Sequence, residues 1–249
     1  MKVESRHKRI LEILSENAST GVSSISTSLG VSQVTIRNDL KSLSAKGLVH
    51  RNHGGASPTL HPSILERQGQ RLHTKIAIAK AAAAMVQDGD TIMIDAGTTT
   101  ALIVKHLLGK RDVRLVTSNL LALTYARMIP TLHITLVGGE YRAETESLVG
   151  PMALRALQEY HVKLAFIGTD GFSLENGTTT HLVEGAEVVK TLNKQSDKTV
   201  LLADSSKYGK TGFARILPLE SVDHIISDGD LPSSITTQLK KKNLELTLV

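Results

Sequence analysis

The feature that most constrains the fold is a repeating pattern in the larger part of the chain, residues 74–249. Short apolar runs alternate there with helical segments, and each run ends in small or polar residues without an apolar–polar alternation along it. Strands of this kind are covered on both faces, which is typical of parallel sheets flanked by helices. The sequence therefore predicts an α/β domain with a mostly parallel sheet.

This alternation also places the elements along the chain. Helices are predicted at 74–87, 99–108 and 120–128. Strands are predicted at 91–95, 113–117, 133–137, 162–168, 200–204, 224–228 and 244–249. In open α/β sheets the ligand lies outside the carboxyl ends of the strands, so a binding site is expected in the loops that follow them.

Polar or glycine-rich loops follow five of the predicted strands, at 95–100, 117–119, 138–139, 168–171 and 204–207. Each loop alone is typical of an ordinary turn, but together they meet at one edge of the predicted sheet. The candidate ligand-binding residues in and near these loops are Asp95, Gly97, Thr98, Thr99, Thr100, Ser118, Asn119, Gly138, Gly139, Asp170, Gly171, Glu184 and Lys207.

The chemistry of these residues favours a phosphorylated polyol. Gly97 permits a tight turn, and the threonines at 98–100 place hydroxyl and N–H groups near the positive end of a helix, which suits a phosphate. Lys207 can supply a counter-charge. Carboxylates such as Asp95, Asp170 and Glu184 can accept hydrogen bonds from sugar hydroxyls.

The N-terminal part of the chain is predicted to form three short helices, at 4–17, 23–29 and 33–46. Ser32 is a suitable N-cap for the third helix, and Gly47 is a suitable left-handed stop after it. Two short helices joined by a turn of roughly three or four residues that contains glycine indicate a helix-turn-helix.

The third helix has the two faces that a recognition helix needs. Ile36, Leu40 and Leu43 share an apolar side that can pack on a core. Small or polar side chains on the other side and at its border can reach base edges in the major groove. These DNA-binding candidates are Gln33, Val34, Thr35, Arg37, Asn38 and Lys41, of which Lys41 is expected to meet phosphate.

A strand at 48–51 and the turn at Gly54 and Gly55 predict a wing after the third helix. Arg51 and His53 are candidates there for contacts with the DNA backbone or the minor groove. The charge distribution agrees, because residues 1–57 carry eight Lys and Arg against four Asp and Glu, and the rest carries 21 against 20. A basic small segment beside a nearly neutral large one suggests a head that binds a polyanion.

The composition excludes several classes of site. The chain has no cysteine, so it can form neither disulfides nor a thiolate metal site. Its ten histidines are scattered without an H-E-x-x-H motif. No apolar run approaches roughly 18 residues, and the charged N-terminus lacks the apolar core of a signal peptide. We therefore expect a cytoplasmic protein with no metal, no cofactor, no catalytic residue and no membrane contact.

The N-terminal motifs resemble those of the DeoR family of transcription regulators. The matching residues are Arg6 and Ile10, then 31–40 in the pattern V-S-x-x-T-I-R-x-D-L, then 47–56 in the pattern G-L-x-x-R-x-H-G-G-A. The chain has Asn38 where the family more often has arginine, so the resemblance does not carry over the operator sequence.

The larger part resembles the sensor domain of the same family in the motifs D-A-G-T-T-T, T-S-N-L, V-G-G-E, G-T-D-G and D-S-S-K-Y-G. That domain is similar to the fold of ribose-5-phosphate and glucosamine-6-phosphate isomerases. The likeness implies that the threonines at 98–100 and Lys207 face a phosphate, and that Asp170 and Glu184 face a sugar. The family's T-N-S order is T-S-N at 117–119 here, which leaves open the inward-pointing side chain of that loop.

The resemblance implies a winged helix-turn-helix at 3–57, a Pro- and Gly-containing connector at 58–73 and an α/β sugar-phosphate sensor domain at 74–249. It implies a repressor of a carbohydrate uptake or catabolism operon. Such a repressor binds double-stranded operator DNA and is released by a phosphorylated sugar or alditol. A homo-oligomer, either a dimer or a tetramer, is expected because repeated half-sites need more than one head.

The sequence leaves two other functions open. One is a sugar-phosphate isomerase with a DNA-binding head, in which Glu184 or Asp170 is the base, although no second group is arranged as its acid partner. The other is a dinucleotide-sensing regulator, although the loop after the first strand lacks the G-x-G-x-x-G fingerprint. The sugar-phosphate sensor is favoured, and no enzymatic activity is expected.

Overall fold

The computed structural model describes residues 3–17, 20–52, 54–241 and 244–249, and it divides into two compact units, Met1–Gly69 and Gln70–Val249. Each unit is built around its own hydrophobic core.

The N-terminal unit contains the three predicted helices followed by a two-stranded wing. Its elements are α1 (Val3–Glu16), α2 (Val22–Leu29), α3 (Gln33–Ala45), β1 (Val49–Asn52), β2 (Gly55–Pro58) and α4 (Pro62–Gly69). The prediction of a helix-turn-helix is confirmed, and each helix lies within one residue of its predicted bounds. Ile10, Leu14, Ile25 and Ile36 are fully buried where the first three helices meet.

The segment interpreted as a connector, 58–73, is not a loop. Pro58 ends the antiparallel wing, α4 follows, and the next helix begins at Leu72. Pro62 occupies the first position of α4, where its missing N–H costs nothing. Ile64 and Leu65 are buried, and Leu65 packs in the core of the N-terminal unit.

The larger unit alternates helices and strands as predicted. In chain order its elements are α5 (Leu72–Ala84), β3 (Thr91–Ile94), α6 (Thr98–Lys105), β4 (Val113–Thr117), α7 (Leu120–Ala126), β5 (Leu132–Leu136), β6 (Glu140–Arg142), β7 (Ser147–Val149), α8 (Pro151–Gln158), β8 (Val162–Ile167), β9 (Gly171–Ser173), β10 (Gly177–Thr180), α9 (Val183–Lys194), β11 (Ser196–Leu202), β12 (Ala214–Arg215), β13 (His224–Ser227), α10 (Ser233–Lys241) and β14 (Glu245–Leu248); short 3-10 helices span Ser205–Lys207 and Leu219–Ser221.

The main sheet has the strand order β14-β13-β11-β8-β3-β4-β5, and every neighbouring pair is parallel. The predicted parallel sheet is confirmed. Ile92, Met93 and Ile94 are consecutive and all buried, so β3 is covered on both faces, as its unbroken apolar run predicts.

The chain changes direction across the sheet between β3 and β8. Strands β4 and β5 are added on one side of β3, whereas β8, β11, β13 and β14 are added on the other. Loops leave such a point in opposite directions and open a crevice at the carboxyl ends of the strands. The five loops singled out in the sequence follow the adjacent strands β11, β8, β3, β4 and β5, so they share one edge of the sheet.

Two small antiparallel sheets are additions that the sequence pattern does not predict. Strands β6 and β7 pair as a hairpin after β5, and β9, β10 and β12 form a sheet in the order β12-β10-β9. Their strands are short, and the run Gly177–Thr180 has no apolar alternation. Both sheets come from the segments that follow the carboxyl ends of β5, β8 and β11.

Candidate functional site

Helix α3 presents a polar face opposite its buried one. Ser32 caps the helix by accepting a hydrogen bond from the backbone N–H of Thr35 at 3.1 Å. Ile36, Leu40 and Leu43 are buried on one side. The candidates exposed on the other side are Gln33, Val34, Arg37, Asn38 and Lys41. Val34 is 64% exposed, which is unusual for an apolar side chain and leaves it available for contact with a thymine methyl group.

Thr35 differs from the other candidates on this helix. Its hydroxyl lies 2.9 Å from the Ser32 hydroxyl, so it takes part in the N-cap, and it is only partly exposed. Thr35 therefore has a structural role at the start of α3 that does not depend on DNA.

A buried ion-pair network that the sequence reasoning missed fixes α3 against α1. Asp39, on the buried side of α3, accepts hydrogen bonds from Arg6 Nε at 2.6 Å and Arg6 Nη2 at 2.9 Å. His7 Nε2 lies 3.2 Å from the same carboxylate. Burial alone raises the pKa of Asp39, but the hydrogen bonds and charge of Arg6, with the bond to His7, give a net lowering. The signal in the sequence was the pair of motif residues Arg6 and Asp39.

The wing is attached to the turn between α1 and α2 through its glycines. The N–H of Val22 donates to the carbonyl oxygen of Gly54 at 3.1 Å. A Cβ on Gly55 would lie 3.1 Å from the carbonyl oxygen of Thr20, so the two backbones approach closely. Arg51 is exposed on β1, opposite Ala56 of β2. The remaining candidate of the predicted wing, His53, lies outside the described residues.

In the larger unit, Asp95 joins the two central strands at the point where the chain reverses. Its Oδ2 accepts a hydrogen bond from the N–H of Gly168, the first residue after β8, at 3.1 Å. Asp95 is 5% exposed. Burial raises the pKa of Asp95 to about 7, against the smaller opposing effect of hydrogen bonds from Gly168 and Ala96.

Two of the predicted ligand residues are used to hold this turn. The Thr100 hydroxyl donates to the carbonyl oxygens of Asp95 at 2.8 Å and Gly97 at 3.0 Å. Asn119 Nδ2 donates to the same two oxygens at 3.0 and 3.3 Å, and Asn119 Oδ1 caps α7. Both side chains are fully buried. Their polar atoms therefore hold the backbone of the loop at 95–97 and are already used within the protein.

Other polar groups at this edge are not used in this way. Thr98 and Thr99 are partly exposed in the first turn of α6, and the N-cap residue Gly97 provides no side-chain cap. Ser118 is 2% exposed, and its hydroxyl has no hydrogen-bond partner among the described residues. A buried hydroxyl without a partner is costly and calls for a ligand or water.

The glycines of two candidate loops allow close backbone contacts. Gly138 is exposed, but a Cβ on Gly139 would lie 2.6 Å from the carbonyl oxygen of Val149 in the β6–β7 hairpin. A Cβ on Gly171 would lie 2.1 Å from the carbonyl oxygen of Lys210. These positions need glycine for packing, whatever binds nearby.

The three charged candidates have different surroundings. Asp170 accepts hydrogen bonds from the Thr180 hydroxyl and the His181 N–H, both at 2.9 Å. Glu184 accepts from Arg142 Nη2 at 2.9 Å, and this bond lowers the pKa of Glu184. Lys207 ends the short helix Ser205–Lys207 and is partly exposed. Arg142 was not predicted, because β6 has no recognisable pattern.

Among the residues that the structure describes, no helix is long and apolar enough to cross a membrane. In the same residues no cluster of His, Asp or Glu side chains is suited to hold a metal ion.

Both units match known families. Residues 6–59 match the DeoR-like helix-turn-helix domain, and residues 70–229 match the DeoR C terminal sensor domain. A putative aga operon transcriptional repressor of Escherichia coli O157:H7 is 30% identical over 98% of this chain and 93% of its own length. The HTH-type transcriptional regulator GlpR of Haloferax volcanii is 33% identical over 94% of this chain and 93% of its own.

Among solved structures, a D-ribose-5-phosphate isomerase in complex with phospho-erythronic acid aligns with a TM-score of 0.41 and 17% identity, over 55% of this chain and 54% of that chain. The relatives that match nearly the full length are named regulators, which supports a regulator over the isomerase alternative. With both domains matched in order and relatives of this identity over nearly its whole length, the chain belongs to the DeoR family of transcriptional regulators.

Proposed function

We propose that this regulator represses a carbohydrate uptake or catabolism operon, that α3 reads double-stranded operator DNA, and that a phosphorylated sugar or alditol releases it. The observation that carries the DNA-binding part is the exposed face of α3. Val34, Arg37, Asn38 and Lys41 lie at helical spacing. The side chains of Arg37, Asn38 and Lys41 make no hydrogen bond or ion pair with other described residues. Such a face fits the major groove.

The assembly and the direction of regulation belong to the same proposal. A relative of 30% identity is named an operon repressor, which supports repression over activation. One α3 covers one half-site, so a dimer or tetramer is proposed to place several heads on one operator. Arg51 and His53 are proposed to contact the DNA backbone or the minor groove.

The proposed effector site is the shared edge of β11, β8, β3, β4 and β5. Thr98, Thr99 and the uncapped N–H groups of α6 provide donors for a phosphate, and Lys207 provides charge. The buried Ser118 hydroxyl is the further group there that lacks a partner among the described residues.

Asp170 and Glu184 are proposed to face the sugar, as the family resemblance implies. Both already accept hydrogen bonds within the chain. A sugar hydroxyl must therefore share each carboxylate with its present donor, Thr180 or Arg142, or displace that donor.

Arg37→Ala is expected to weaken binding to the selected operator by about 1–3 kcal/mol and to reduce discrimination against scrambled DNA. The reason is that Arg37 is exposed near the start of α3 and its guanidinium can pair bidentately with guanine. Titration by gel shift with a duplex selected from a random pool, beside a scrambled duplex, measures both quantities.

Arg9→Ala is the matched control for this prediction, because it removes the same charge from the exposed side of α1, where Arg9 pairs with Glu12. It is expected to lower the affinity for both duplexes alike through electrostatics. Equal discrimination by Arg37→Ala and the wild type would remove Arg37 from base reading.

Lys207→Ala is expected to leave operator affinity unchanged and to raise the sugar-phosphate concentration needed for release by about tenfold or more, because hydrogen bonds to charged groups are strong. The measurement is release from DNA by the most active compound of a panel of sugar and alditol phosphates. Lys105→Ala makes the same charge change at the far end of α6 and is expected to respond like the wild type. Normal release from Lys207→Ala would exclude that side chain from the site.

The panel also tests the effector class itself. A thermal shift by at least one phosphorylated sugar or alditol, and none by the unphosphorylated compound, is the expected outcome. A shift by NADH alone would replace the proposal with the dinucleotide-sensing alternative.

A further inference from the structure

Arg71, which follows the N-terminal unit with one residue between, is bound to the carboxyl edge of the main sheet. Its Nη2 donates to the carboxylates of Asp228 and, at 3.1 Å, Asp230. Its Nε lies 3.5 Å from Asp204 Oδ1. Asp204 follows β11 and Asp228 follows the neighbouring β13, and both are buried, whereas Asp230 is exposed. One guanidinium thus lies within ion-pair distance of two buried carboxylates.

The same two carboxylates hold the turn that carries Lys207. Asp204 Oδ1 accepts a hydrogen bond from the N–H of Ser206 at 3.0 Å, and Asp228 Oδ1 accepts from the N–H of Ser205 at 2.9 Å. Arg71 therefore positions the 3-10 helix Ser205–Lys207 through Asp204 and Asp228. A displacement of this turn therefore also moves the carboxylates that the guanidinium contacts.

The backbone of Arg71 is in an uncommon conformation. Its φ of 50° and ψ of 40° place it in the left-handed region immediately before α5. Side chains other than Asn, Asp and His rarely adopt this region. Arg71 has this unfavourable backbone conformation while its guanidinium is held by the carboxylates. Loss of those contacts therefore favours a return to a common conformation, which changes the direction of the backbone. The chain on its N-terminal side is Gly69, the last residue of α4, followed by Gln70.

We propose that the cluster of Arg71, Asp204 and Asp228 couples the effector site to the helix-turn-helix unit. The inference rests on the proposed function, because it places the effector at the turn that ends in Lys207. The intact cluster is the DNA-binding state. A ligand that draws Lys207 and its turn towards itself weakens the hold on Arg71 and changes the path of the chain that leads to α4. Both states must differ in ligand affinity for such a switch to work.

The test measures the affinity of the full chain for a duplex that the wild type selects from a random pool. Arg71→Gln and Asp228→Asn are both expected to lower this affinity by about fivefold or more, at the lower end of typical coupling between sites. The two substitutions change the net charge in opposite directions. General attraction to DNA would make Asp228→Asn bind more tightly, so a loss in both variants points to the cluster.

Asp230→Asn is the matched control, because it makes the same charge change at an exposed carboxylate that also touches Arg71. Its DNA affinity is expected to stay within about twofold of the wild-type affinity. The double variant Arg71→Gln with Asp228→Asn is expected to match the single variants, because both break one unit. Hydrogen exchange at the Ser205 and Ser206 amides shows whether the turn has opened.

Wild-type affinity in Arg71→Gln would overturn the inference. With an open turn it would show that the turn does not act on DNA binding, and with a closed turn it would show that Arg71 does not hold the turn. If either variant loses its cooperative unfolding transition, Arg71→Lys is measured instead, because it keeps the charge without the forked geometry of the guanidinium. A reduced DNA affinity of Arg71→Lys supports the coupling, and an unchanged affinity contradicts it. Failure of the wild type to select any duplex would instead contradict the proposed function.

Discussion

Asp39→Ala is expected to destabilise the N-terminal unit by about 3–5 kcal/mol and to abolish DNA binding at ordinary temperature. The Asp39 side chain is buried and accepts two hydrogen bonds from Arg6, whose own side chain is only 12% exposed. Substitution removes the acceptor of both bonds and takes the carboxylate away from a partly buried guanidinium. At about 0.05–0.15 kcal/mol per residue, a unit that spans Met1–Gly69 has a stability of about 3–10 kcal/mol, so this loss is a large part of it.

The measurement is thermal unfolding of the full chain, with the transition of the N-terminal unit followed by hydrogen exchange at α1 and α3. Glu16→Ala, which removes an exposed carboxylate from α1, serves as the control and is expected to change little. Arg6→Ala is expected to resemble Asp39→Ala, and the double variant to cost less than the sum of the two. An Asp39→Ala protein with the wild-type transition and DNA affinity would show that the network is dispensable.

The fold could be predicted largely because its strands carry their own signal. The apolar run of β3 lacks alternation and ends in a polar loop, and the same holds for β8, so a parallel sheet with a polar edge follows from the residues alone. The recognition helix was equally clear, because Ile36, Leu40 and Leu43 repeat at helical spacing beside a serine cap. The strand order was not predictable, since the pairing of β3 with β8 depends on packing between distant segments.

The roles of individual polar residues could be predicted only as far as their type. Thr100 and Asn119 suit a phosphate or a turn equally well, and only the distances show that their polar atoms hold the backbone of Asp95 and Gly97. The sequence left open which side chain of the loop at 117–119 faces a ligand. The structure favours Ser118, because the Asn119 side chain already bonds the backbone of the neighbouring loop, whereas the Ser118 hydroxyl has no hydrogen-bond partner among the described residues.

Two arginines were missed for a related reason. Arg142 and Arg71 lie in a three-residue strand and in a turn, where no periodicity marks them. Their carboxylate partners Glu184 and Asp228 are 42 and 157 residues away along the chain. Charge pairs between such distant segments leave no pattern in a single sequence.

A second large effect is expected at Asp95, as a loss of stability of the larger unit when the pH rises. Burial raises the pKa of Asp95 from 3.8 to about 7, so between these values the folded chain keeps a proton that the unfolded chain has released. A state that binds more protons is favoured at low pH, and its advantage falls as the pH rises through that window. A shift of about three units corresponds to about 4 kcal/mol.

Asp95→Asn is expected to remove this dependence, because asparagine does not ionise and its oxygen can still accept the hydrogen bond from Gly168. Urea unfolding of the larger unit at several pH values gives the stability difference between variant and wild type, in which the other titrating groups cancel. That difference is expected to grow in favour of the variant by about 4 kcal/mol between pH of about 4 and about 8.

Asp112→Asn is the matched control for this titration. The Asp112 side chain is 85% exposed, and its positive φ of 55° is one that asparagine tolerates. Its stability difference from the wild type gives the effect of removing an exposed carboxylate at each pH. If the Asp95→Asn difference does not grow with pH beyond that of Asp112→Asn, burial does not keep a proton on Asp95, and the turn at the centre of the sheet edge then carries a negative charge where the phosphate is proposed to bind.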